Sequence, residues 1–192
     1  MINYFEDTLR ILKDSLYSID PDVFNELLKE SEATLRAGNK IIVSGLGKNV
    51  PICDKFVGTM ISLGLNANFL HTNSAVHGDL GMVKKNDLVI ILTKSGSTAE
   101  SIYLAEALKP KKCSVWLLTF NKDGTLSRKI DKKLVIKLEH EGDLWNIVPN
   151  NSTILNLIVL QTLVMKLAEK MEVTLDDFKV NHPGGAIGEQ LR

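Results

Sequence analysis

A turn rich in hydroxyl groups, TKSGST at residues 93–98, carries the strongest chemical signal in this sequence. It runs directly into a predicted helix that contains Glu100. The N-terminus of a helix presents free N–H groups and a partial positive charge, and neighbouring hydroxyls add hydrogen-bond donors that suit a phosphate monoester. Capping of the helix by Ser97 or Thr98 is the competing interpretation, but capping needs fewer hydroxyls than this turn has. We therefore predict a phosphate site here.

A second polar turn, SGLGK at residues 44–48, combines two glycines with a lysine. Glycine lets the backbone approach a ligand closely, and Lys48 offers a cation. The turn is not a P-loop, because GxxxxGK[ST] is absent, and the third glycine of a dinucleotide-binding fingerprint is also missing. Taken alone, the turn predicts either a ligand site or a plain strand-to-helix connection.

Histidines and carboxylates occupy further loops. Three of the four histidines, His71, His77 and His182, lie in the segments HTNSAVHGD and HPGGAIG. A histidine in a glycine-rich loop is not explained by helix or sheet packing, and imidazole titrates near neutral pH, which suits acid–base chemistry. The loop EHEGD at residues 139–143 adds a carboxylate that is either a base with a tuned pKa or a solvated acidic turn.

Short apolar runs that alternate with helical patterns predict the elements that carry these loops. Five runs are typical of strands, at residues 40–44, 67–70, 88–92, 114–118 and 134–138. Their apolar residues are consecutive, which indicates strands covered on both faces in a parallel sheet. We therefore predict an α/β fold with a five-stranded, parallel, doubly wound sheet flanked by helices. Ligands of such sheets bind beyond the carboxyl ends of the strands.

The remaining patterns complete one domain over residues 1–192. A pair of helices fills residues 1–38, with Asp20 as the predicted N-cap of the second helix, and the α/β core with its C-terminal helices fills residues 40–192. A long apolar helix follows the fifth strand, with Ser152 as its predicted N-cap. Its wide apolar arc predicts either deep burial or a contact with another subunit.

Composition and charge exclude several classes of protein. Lys plus Arg and Asp plus Glu are equal at 23 each, so no overall positive field attracts nucleic acid or an anionic membrane. Two cysteines are too few for a disulfide framework and indicate a reducing compartment. No secretory signal is evident, and the most apolar stretch, residues 154–165, is shorter than the roughly 20 residues that span a bilayer. We expect a cytoplasmic protein without membrane or nucleic-acid partners.

Four segments together resemble one family, the sugar isomerase (SIS) domain proteins, and within it the D-arabinose 5-phosphate isomerases. These segments are SGLGK at 44–48, HGDLGMV at 77–83, the Ser95-Gly96 turn with Glu100, and HPGGA at 182–186. The Ser-Gly turn is shared by all phosphosugar-binding SIS domains, whereas HGDLGMV combined with a terminal HPGGA is much narrower. The resemblance runs from Lys40 to Leu191 and implies a flavodoxin-like SIS fold.

The resemblance implies an aldose–ketose isomerase that interconverts D-ribulose 5-phosphate and D-arabinose 5-phosphate through a cis-enediol. Such an enzyme feeds the synthesis of 3-deoxy-D-manno-octulosonate (Kdo) for lipopolysaccharide or capsule. The catalytic positions that it implies are Lys48, Glu100, Glu141 and His182. In our hypothesis Glu141 shuttles the proton between C1 and C2, and Lys48 stabilises the enediolate. His182 assists ring opening or hydroxyl proton exchange, while Glu100 orients Lys48 or itself reaches the substrate.

The resemblance also implies a set of substrate-binding positions and no cofactor. These positions are Ser44, Gly45, His77, Thr93, Ser95, Gly96, Ser97 and Thr98. Zinc tends to inhibit the family, which makes His71 a candidate ligand for an inhibitory metal. Several residues depart from the family pattern, among them Ser97, where the family often has glutamate, and Asn49-Val50, which replaces a Ser-Gly pair. Lys94 stands where the family often has asparagine and adds a cation near the phosphate, and Trp145 lies in a divergent segment that could narrow the pocket.

The implied partners are a small-molecule sugar phosphate and further copies of the chain. In the family the terminal histidine can be donated by a neighbouring subunit, so we expect a homotetramer with shared active sites. Family members commonly continue into paired cystathionine-β-synthase repeats, and we expect a lone catalytic domain that is either unregulated or inhibited by a downstream sugar nucleotide at its active site. Two alternatives remain open: an isomerase of another ketose phosphate, and a phosphosugar sensor without catalysis. The four catalytic positions favour an enzyme, because a sensor has no use for proton-transfer groups.

Overall fold

The computed structural model describes residues 2–190 and contains one sheet covered by helices. Its strands are β1 (Ile41–Gly45), β2 (Ala67–Phe69), β3 (Leu88–Thr93), β4 (Ser114–Thr119) and β5 (Lys133–Val135). All five predicted strands are confirmed, and the largest difference is that β5 ends at Val135 rather than at residue 138. The two ends of the predicted domain, Met1 and residues 191–192, lie outside the described residues.

Helices connect the strands and flank the sheet. They are α1 (Ile2–Tyr17), α2 (Pro21–Arg36), α3 (Val50–Ser62), α4 (Thr72–Ala75), α5 (Ala99–Leu108), α6 (Thr125–Lys129), α7 (Asn151–Lys170), α8 (Leu175–Val180) and α9 (Gly185–Gln190). Short 3-10 turns lie at Gly47–Asn49, Asp79–Met82 and Lys109–Lys111. The predicted N-cap of α2 is confirmed, because the Asp20 carboxylate accepts hydrogen bonds from the N–H groups of Asp22 and Val23.

The strands are all parallel and lie in the order β2-β1-β3-β4-β5. The predicted doubly wound α/β sheet is therefore confirmed. The chain moves outward from β1 to β2 and then crosses to β3 on the other side of β1. The connections that follow β1 and β3 thus diverge, and in such sheets the crevice between them is where ligands bind. Gly45 of β1 pairs in register with Leu92 of β3, so the two polar turns begin side by side.

Both faces of the sheet are buried, which explains the consecutive apolar runs. Along β1, Ile41 and Val43 enter a core that also holds residues of α2, α3 and α7, whereas Ile42 enters a second core with residues of α4, α5 and α6. Successive side chains of a strand point to opposite faces, so each strand contributes to both cores.

The long helix α7 is a core helix. By length and composition it could cross a membrane. In the fold it packs against α1, α2 and α3, and Leu155, Leu160 and Leu163 have no exposed surface. Burial of each such side chain contributes about 1.5–3 kcal/mol. The chain itself thus buries about half of the helix, and a contact of the remaining apolar surface with another subunit stays a prediction.

The start of α7 differs from the prediction. Ser152 lies within the helix, and the N-cap is Asn150, whose side chain makes no capping bond within residues 2–190. Instead the Glu141 carboxylate accepts hydrogen bonds from the N–H groups of Asn150 at 3.0 Å and Ser152 at 2.9 Å. The predicted N-cap at Ser152 was wrong, because a carboxylate from the preceding loop satisfies the first helical N–H groups.

Candidate active site

The turn after β1 depends on a glycine at its first position. A Cβ at Gly45 would lie 2.8 Å from the Cβ of Asn49 and 3.2 Å from the Cys53 sulfur. Any side chain would therefore push the following 3-10 turn away from the sheet. That turn carries Lys48, whose side chain is exposed at the edge of the crevice. Gly45 thus serves the site through the shape of its backbone.

The hydroxyl turn after β3 is held by its own hydroxyls. The Gly96 N–H donates to Thr93 Oγ1 at 3.3 Å, and the Ser97 N–H donates to Ser95 Oγ at 3.2 Å. Gly96 has a φ of +64°, a left-handed conformation that favours glycine. Thr93 and Gly96 are buried, whereas Ser95 and Ser97 are exposed. Two of the predicted binding positions therefore shape the turn, and two can contact a ligand.

The segment that runs from the end of β4 into α6 supports the same turn from outside. The Asn121 side chain donates to the carbonyl oxygen of Ser95 at 3.1 Å, and the Leu126 N–H donates to that of Gly96 at 2.8 Å. Gly124 packs against the turn so closely that a Cβ there would overlap the Ser95 carbonyl oxygen. This support comes from residues distant in sequence, and nothing in the sequence pattern indicated it.

The N-terminus of α5 is open, and it lies directly behind the hydroxyl turn. Thr98 is its N-cap residue, but within residues 2–190 the Thr98 side chain makes no capping hydrogen bond. The Ser97 hydroxyl is occupied elsewhere, because it accepts the Thr125 N–H at 3.2 Å. Capping by either residue, the competing interpretation of this segment, is therefore not what the structure contains. Free N–H groups and the helix dipole make this end of α5 suitable for an anion.

A narrow cleft lies between the two turns and the start of α7. We call it the lysine cleft; its volume is about 80 Å³, and it is lined by Leu46, Lys48, Asn49, Lys94, Pro149, Ser152, Thr153 and Asn156. Lys94 had been predicted only as a cation near the phosphate. Its Nζ atom instead lies 2.6 Å from Glu141 Oε1, behind the start of α7. Two lysines therefore border one cleft.

Glu141 is buried, and both oxygens of its carboxylate have partners. Its Oε1 pairs with Lys94, and its Oε2 accepts the two N–H groups at the start of α7. Burial alone would raise the pKa of Glu141, but the Lys94 ammonium and the N–H groups of Ser152 and Asn150 outweigh burial and hold that pKa below its ordinary value. Glu141 is therefore ionised at neutral pH, and its carboxylate does not face either cleft.

A wider cleft, the Glu100 cleft, lies at the start of α5, a few residues along the chain from Lys94. Its volume is about 650 Å³, and it is lined by Thr72, Asn73, Val76, His77, Ala99, Glu100 and Tyr103. The structure thus brings two predicted residues, Glu100 and His77, into one cavity. Among residues 2–190 no ion pair joins Glu100 to Lys48, so the orientation of Lys48 by Glu100 stays a prediction. Its alternative, that Glu100 reaches the substrate, fits this position.

Two further predicted residues lie behind the Glu100 cleft. Ser44 is buried, and its hydroxyl lies 2.9 Å from Thr72 Oγ1, so it joins the end of β1 to the cleft wall. His71 packs edge-on against Phe69, with the ring centroids 5.9 Å apart. Among residues 2–190 no group of three or more histidine, cysteine or acidic side chains could hold a metal. Metal binding at His71 stays a prediction that would need ligands from elsewhere.

His182 lies away from the other predicted catalytic residues. Its Nε2 is 2.9 Å from the Ser62 hydroxyl, its Nδ1 is 2.8 Å from the Phe178 carbonyl oxygen, and its ring stacks on Phe178. Ser62 ends α3, whereas Lys48 stands just before the start of that helix. At 1.5 Å per residue, the length of α3 separates the two ends by about 18 Å. One chain therefore does not bring His182 to Lys48.

Two residues of the site, Asn156 and Tyr103, were not among the residues predicted from the sequence. Asn156 is buried in α7, yet its side chain reaches across and donates to Asn49 Oδ1 at 3.0 Å. Tyr103 lies one helical turn beyond Glu100 and lines the same cleft. Helical spacing from Glu100 could have indicated Tyr103. Trp145, predicted to narrow the pocket, is 69% exposed and lies outside both clefts as the described residues form them.

Residues 34–166 match the SIS domain family model. The chain belongs to the SIS domain family. This SIS domain is 30% identical over 190 residues to the arabinose 5-phosphate isomerase KdsD of Pseudomonas aeruginosa, and 31% identical over 186 residues to KdsD of Yersinia pestis. These matches cover 99% and 97% of the chain but 58% and 57% of the relatives, so the chain spans a little over half of their length.

Solved structures show the same fold. An Escherichia coli CFT073 protein in complex with arabinose 5-phosphate superposes with a TM-score of 0.84 at 30% identity, covering 94% of each chain. A Bacteroides fragilis protein, described as a candidate phosphosugar isomerase involved in capsule formation, superposes with a TM-score of 0.87 at 26% identity and covers 96% of this chain and 98% of its own. The SIS-type, flavodoxin-like architecture predicted from the sequence is thereby confirmed.

Proposed function

We propose that this SIS domain is a sugar-phosphate isomerase that interconverts D-ribulose 5-phosphate and D-arabinose 5-phosphate. The observation that carries the proposal is the open N-terminus of α5 behind the hydroxyl turn, where residues 94–100 contribute both to the lysine cleft and to the Glu100 cleft. A phosphate held there supplies binding energy that positions the reacting carbons. The names of the KdsD relatives and the arabinose 5-phosphate complex of the Escherichia coli protein support a five-carbon substrate.

The reaction moves one proton between neighbouring carbons. A base removes the proton from C2 of the aldose, the C–H electron pair becomes the C1–C2 double bond, and the carbonyl electron pair moves onto the C1 oxygen. The hydroxyl protons then exchange between the two oxygens, and the base returns its proton to C1, which leaves the ketose. We assign the base to Glu100, because it is exposed in the cleft that it shares with His77. Lys48 stabilises the enediolate oxygen.

Glu141 takes a different role from the one expected of it. A base must reach the carbon-bound proton, yet both oxygens of Glu141 are engaged and the side chain has no exposed surface. Its lowered pKa also makes it a weaker proton acceptor than an ordinary glutamate. We therefore propose that Glu141 positions Lys94 and the start of α7, and that it does not shuttle the C1/C2 proton.

We propose that His182 serves the crevice of a neighbouring chain in a homotetramer with shared active sites. The separation of His182 from Lys48 within one chain supports this arrangement. His182 already has hydrogen-bond partners on both ring nitrogens, which fix its ring relative to α3 and α8. An imidazole that is held in this way at a subunit contact can assist ring opening of the substrate in the neighbouring chain's crevice.

The remaining parts of the proposal follow from the family resemblance. The protein would act in the cytoplasm and supply D-arabinose 5-phosphate to Kdo synthesis for lipopolysaccharide or capsule. A downstream sugar nucleotide could bind at the phosphate turn and inhibit it, and zinc could inhibit it through His71. The mechanism uses no cofactor.

Purified protein incubated with D-ribulose 5-phosphate in chelator-treated buffer tests the proposal. We expect D-arabinose 5-phosphate to form, as resolved by chromatography of the pentose phosphates. Binding of the sugar phosphate without conversion would support a phosphosugar sensor instead. Conversion of a hexulose or heptulose phosphate, but not of the pentulose, would support an isomerase of another ketose phosphate.

A further inference from the structure

The backbone and the side chain of Lys94 are both held in place by contacts, yet the proposed reaction steps give this lysine no role. It follows β3 directly, and its carbonyl oxygen accepts hydrogen bonds from the Phe120 N–H and the Thr119 hydroxyl, both at 3.2 Å. These bonds tie its backbone to the neighbouring strand β4. Its side chain then extends to Glu141, where the ammonium nitrogen lies 2.6 Å from Oε1. Both ends of this lysine are therefore held.

Within this ion pair, it is the lysine that borders open space. The Lys94 side chain is 43% exposed, whereas the Glu141 side chain is 0% exposed. An ammonium has three N–H donors, and one of them suffices for the contact with Glu141. Lys94 therefore has donors left for a ligand in the lysine cleft, while Glu141 keeps the ammonium in place.

The chemistry of the lysine cleft suits an enediolate. Lys48 and Lys94 bring two positive charges to it, and the buried Glu141 offsets only one, so an anion is favoured there. Asn156 is 2% exposed, and among the described residues its Oδ1 has no hydrogen-bond partner. An enediolate presents both an oxyanion, which lysines stabilise, and a neighbouring hydroxyl, which can donate to an amide oxygen.

We propose that Lys94 is a catalytic residue, which shares the developing enediolate charge with Lys48 while Glu141 holds it in place. This inference rests on the proposed isomerase function. Lys94 transfers no proton in the step; its N–H groups donate to the oxygen that receives the carbonyl electron pair. Donors fixed before the reaction act most strongly in the transition state, because no reorganisation is needed.

The first test is the kinetics of Lys94→Gln. We expect kcat to fall about 100-fold, as when one preorganised donor to an oxyanion is removed, with KM changed much less. Lys94→Arg keeps the charge and should retain more activity than Lys94→Gln. The matched control is Lys85→Gln, which makes the same change at an exposed position before β3, at the opposite edge of the sheet. If the wild type is active and kcat is unchanged in Lys94→Gln, the inference about Lys94 is overturned, but the proposed isomerase function is not.

A double variant separates catalysis from folding. Lys94→Gln leaves Glu141 buried without its counter-charge, so the variant could lose activity because the fold is weakened. Lys94→Gln combined with Glu141→Gln removes both charges. We expect the double variant to recover thermal stability but not kcat. Recovery of kcat together with stability would show that Lys94 is only a structural partner of Glu141.

Binding of two probes gives a readout that does not depend on turnover. Inorganic phosphate tests the hydroxyl turn alone, and 5-phospho-D-arabinonate adds a carboxylate at the position of the reacting carbonyl. We expect Lys94→Gln to weaken binding of the aldonate phosphate about tenfold or more and that of phosphate less than about twofold. Equal loss for both probes would place Lys94 in the phosphate site and overturn the inference. An inactive wild type would instead contradict the proposed function itself.

Discussion

The hydroxyl turn after β3 and the histidine segment before α9 differ in how completely one chain builds them. The turn lies between adjacent elements, and the next strand's connection supports it through Asn121 and Leu126. His182, in contrast, packs on Ser62 at the far end of α3. A single chain therefore forms the candidate phosphate site but leaves its terminal histidine outside the crevice.

This difference separates binding from catalysis in the proposed enzyme. The phosphate site needs only the local turn and the helix end behind it, so it forms with the fold of the monomer. The proposed proton chemistry needs groups that come from several loops and, for His182, from another chain. Substitutions in the phosphate site should therefore weaken binding, and substitutions of the proton-transfer groups should slow turnover.

Glu100→Gln should remove proton transfer while leaving the phosphate site intact. We expect kcat to fall about 1,000-fold, within the range for loss of a general base, with little change in KM. Glu106→Gln, further along α5 and paired only with surface lysines among the described residues, is the matched control and should stay close to wild type. Steady-state kinetics with D-arabinose 5-phosphate measure both. Substantial activity in Glu100→Gln would indicate that Glu141, and not Glu100, is the base.

His182→Ala should lower kcat about 100-fold, because an acid–base group is lost. Subunits of His182→Ala and Glu100→Gln can be mixed after mild dissociation and allowed to reassemble. This experiment tests whether one active site takes Glu100 and His182 from different chains. If His182 is donated across a subunit contact, some mixed sites combine an intact Glu100 with an intact His182, and about a quarter of the sites become complete by random assembly. If each chain uses its own His182, mixing restores nothing.

Gly124→Ala should damage binding rather than chemistry. The new Cβ would overlap the Ser95 carbonyl oxygen and lie 3.0 Å from the Gly96 Cα, so the hydroxyl turn must shift. We expect KM to rise about tenfold with kcat largely kept, since roughly 1.4 kcal/mol of binding is a factor of ten. Gly58→Ala, where nothing lies within 4 Å of the new Cβ, is the control. A fall in kcat alone would contradict the assignment of this turn to phosphate binding.

The pH dependence of stability should report the Lys94–Glu141 pair. The pKa of Glu141 is lowered in the fold, since Lys94 and the N–H groups of α7 outweigh burial, so the folded state favours the ionised form. Its contribution to the free energy of unfolding is present above the ordinary pKa of 4.5 and is lost as the pH falls through the lower folded-state value.

Chemical denaturation between about pH 6 and about pH 3 measures this contribution. The advantage of wild type over Glu141→Gln should shrink as the pH falls. Glu26→Gln, an exposed glutamate on α2, is the matched substitution. A wild-type advantage that stays constant over this range would mean that the Glu141 carboxylate is not held ionised by its partners.

Much of the fold was predictable because its signals are local. Each strand is a contiguous apolar run, and consecutive rather than alternating apolar residues require cover on both faces, which indicates a parallel sheet. The short fifth strand was the weakest prediction, because the apolar residues after Val135 continue as irregular backbone rather than as strand. The N-cap of α7 was also missed, because Glu141 satisfies that helix end from outside it.

By itself the sequence determined the elements, the family and the hydroxyl turn, since each of these depends on neighbouring residues and their spacing. Only the tertiary structure decided what surrounds each reactive group. It paired Lys94 with Glu141, put Glu100 beside His77, and kept His182 at the other end of α3. The physical reason is that burial, charge pairing and reach depend on residues far apart in the chain, and no local pattern records which of them will meet.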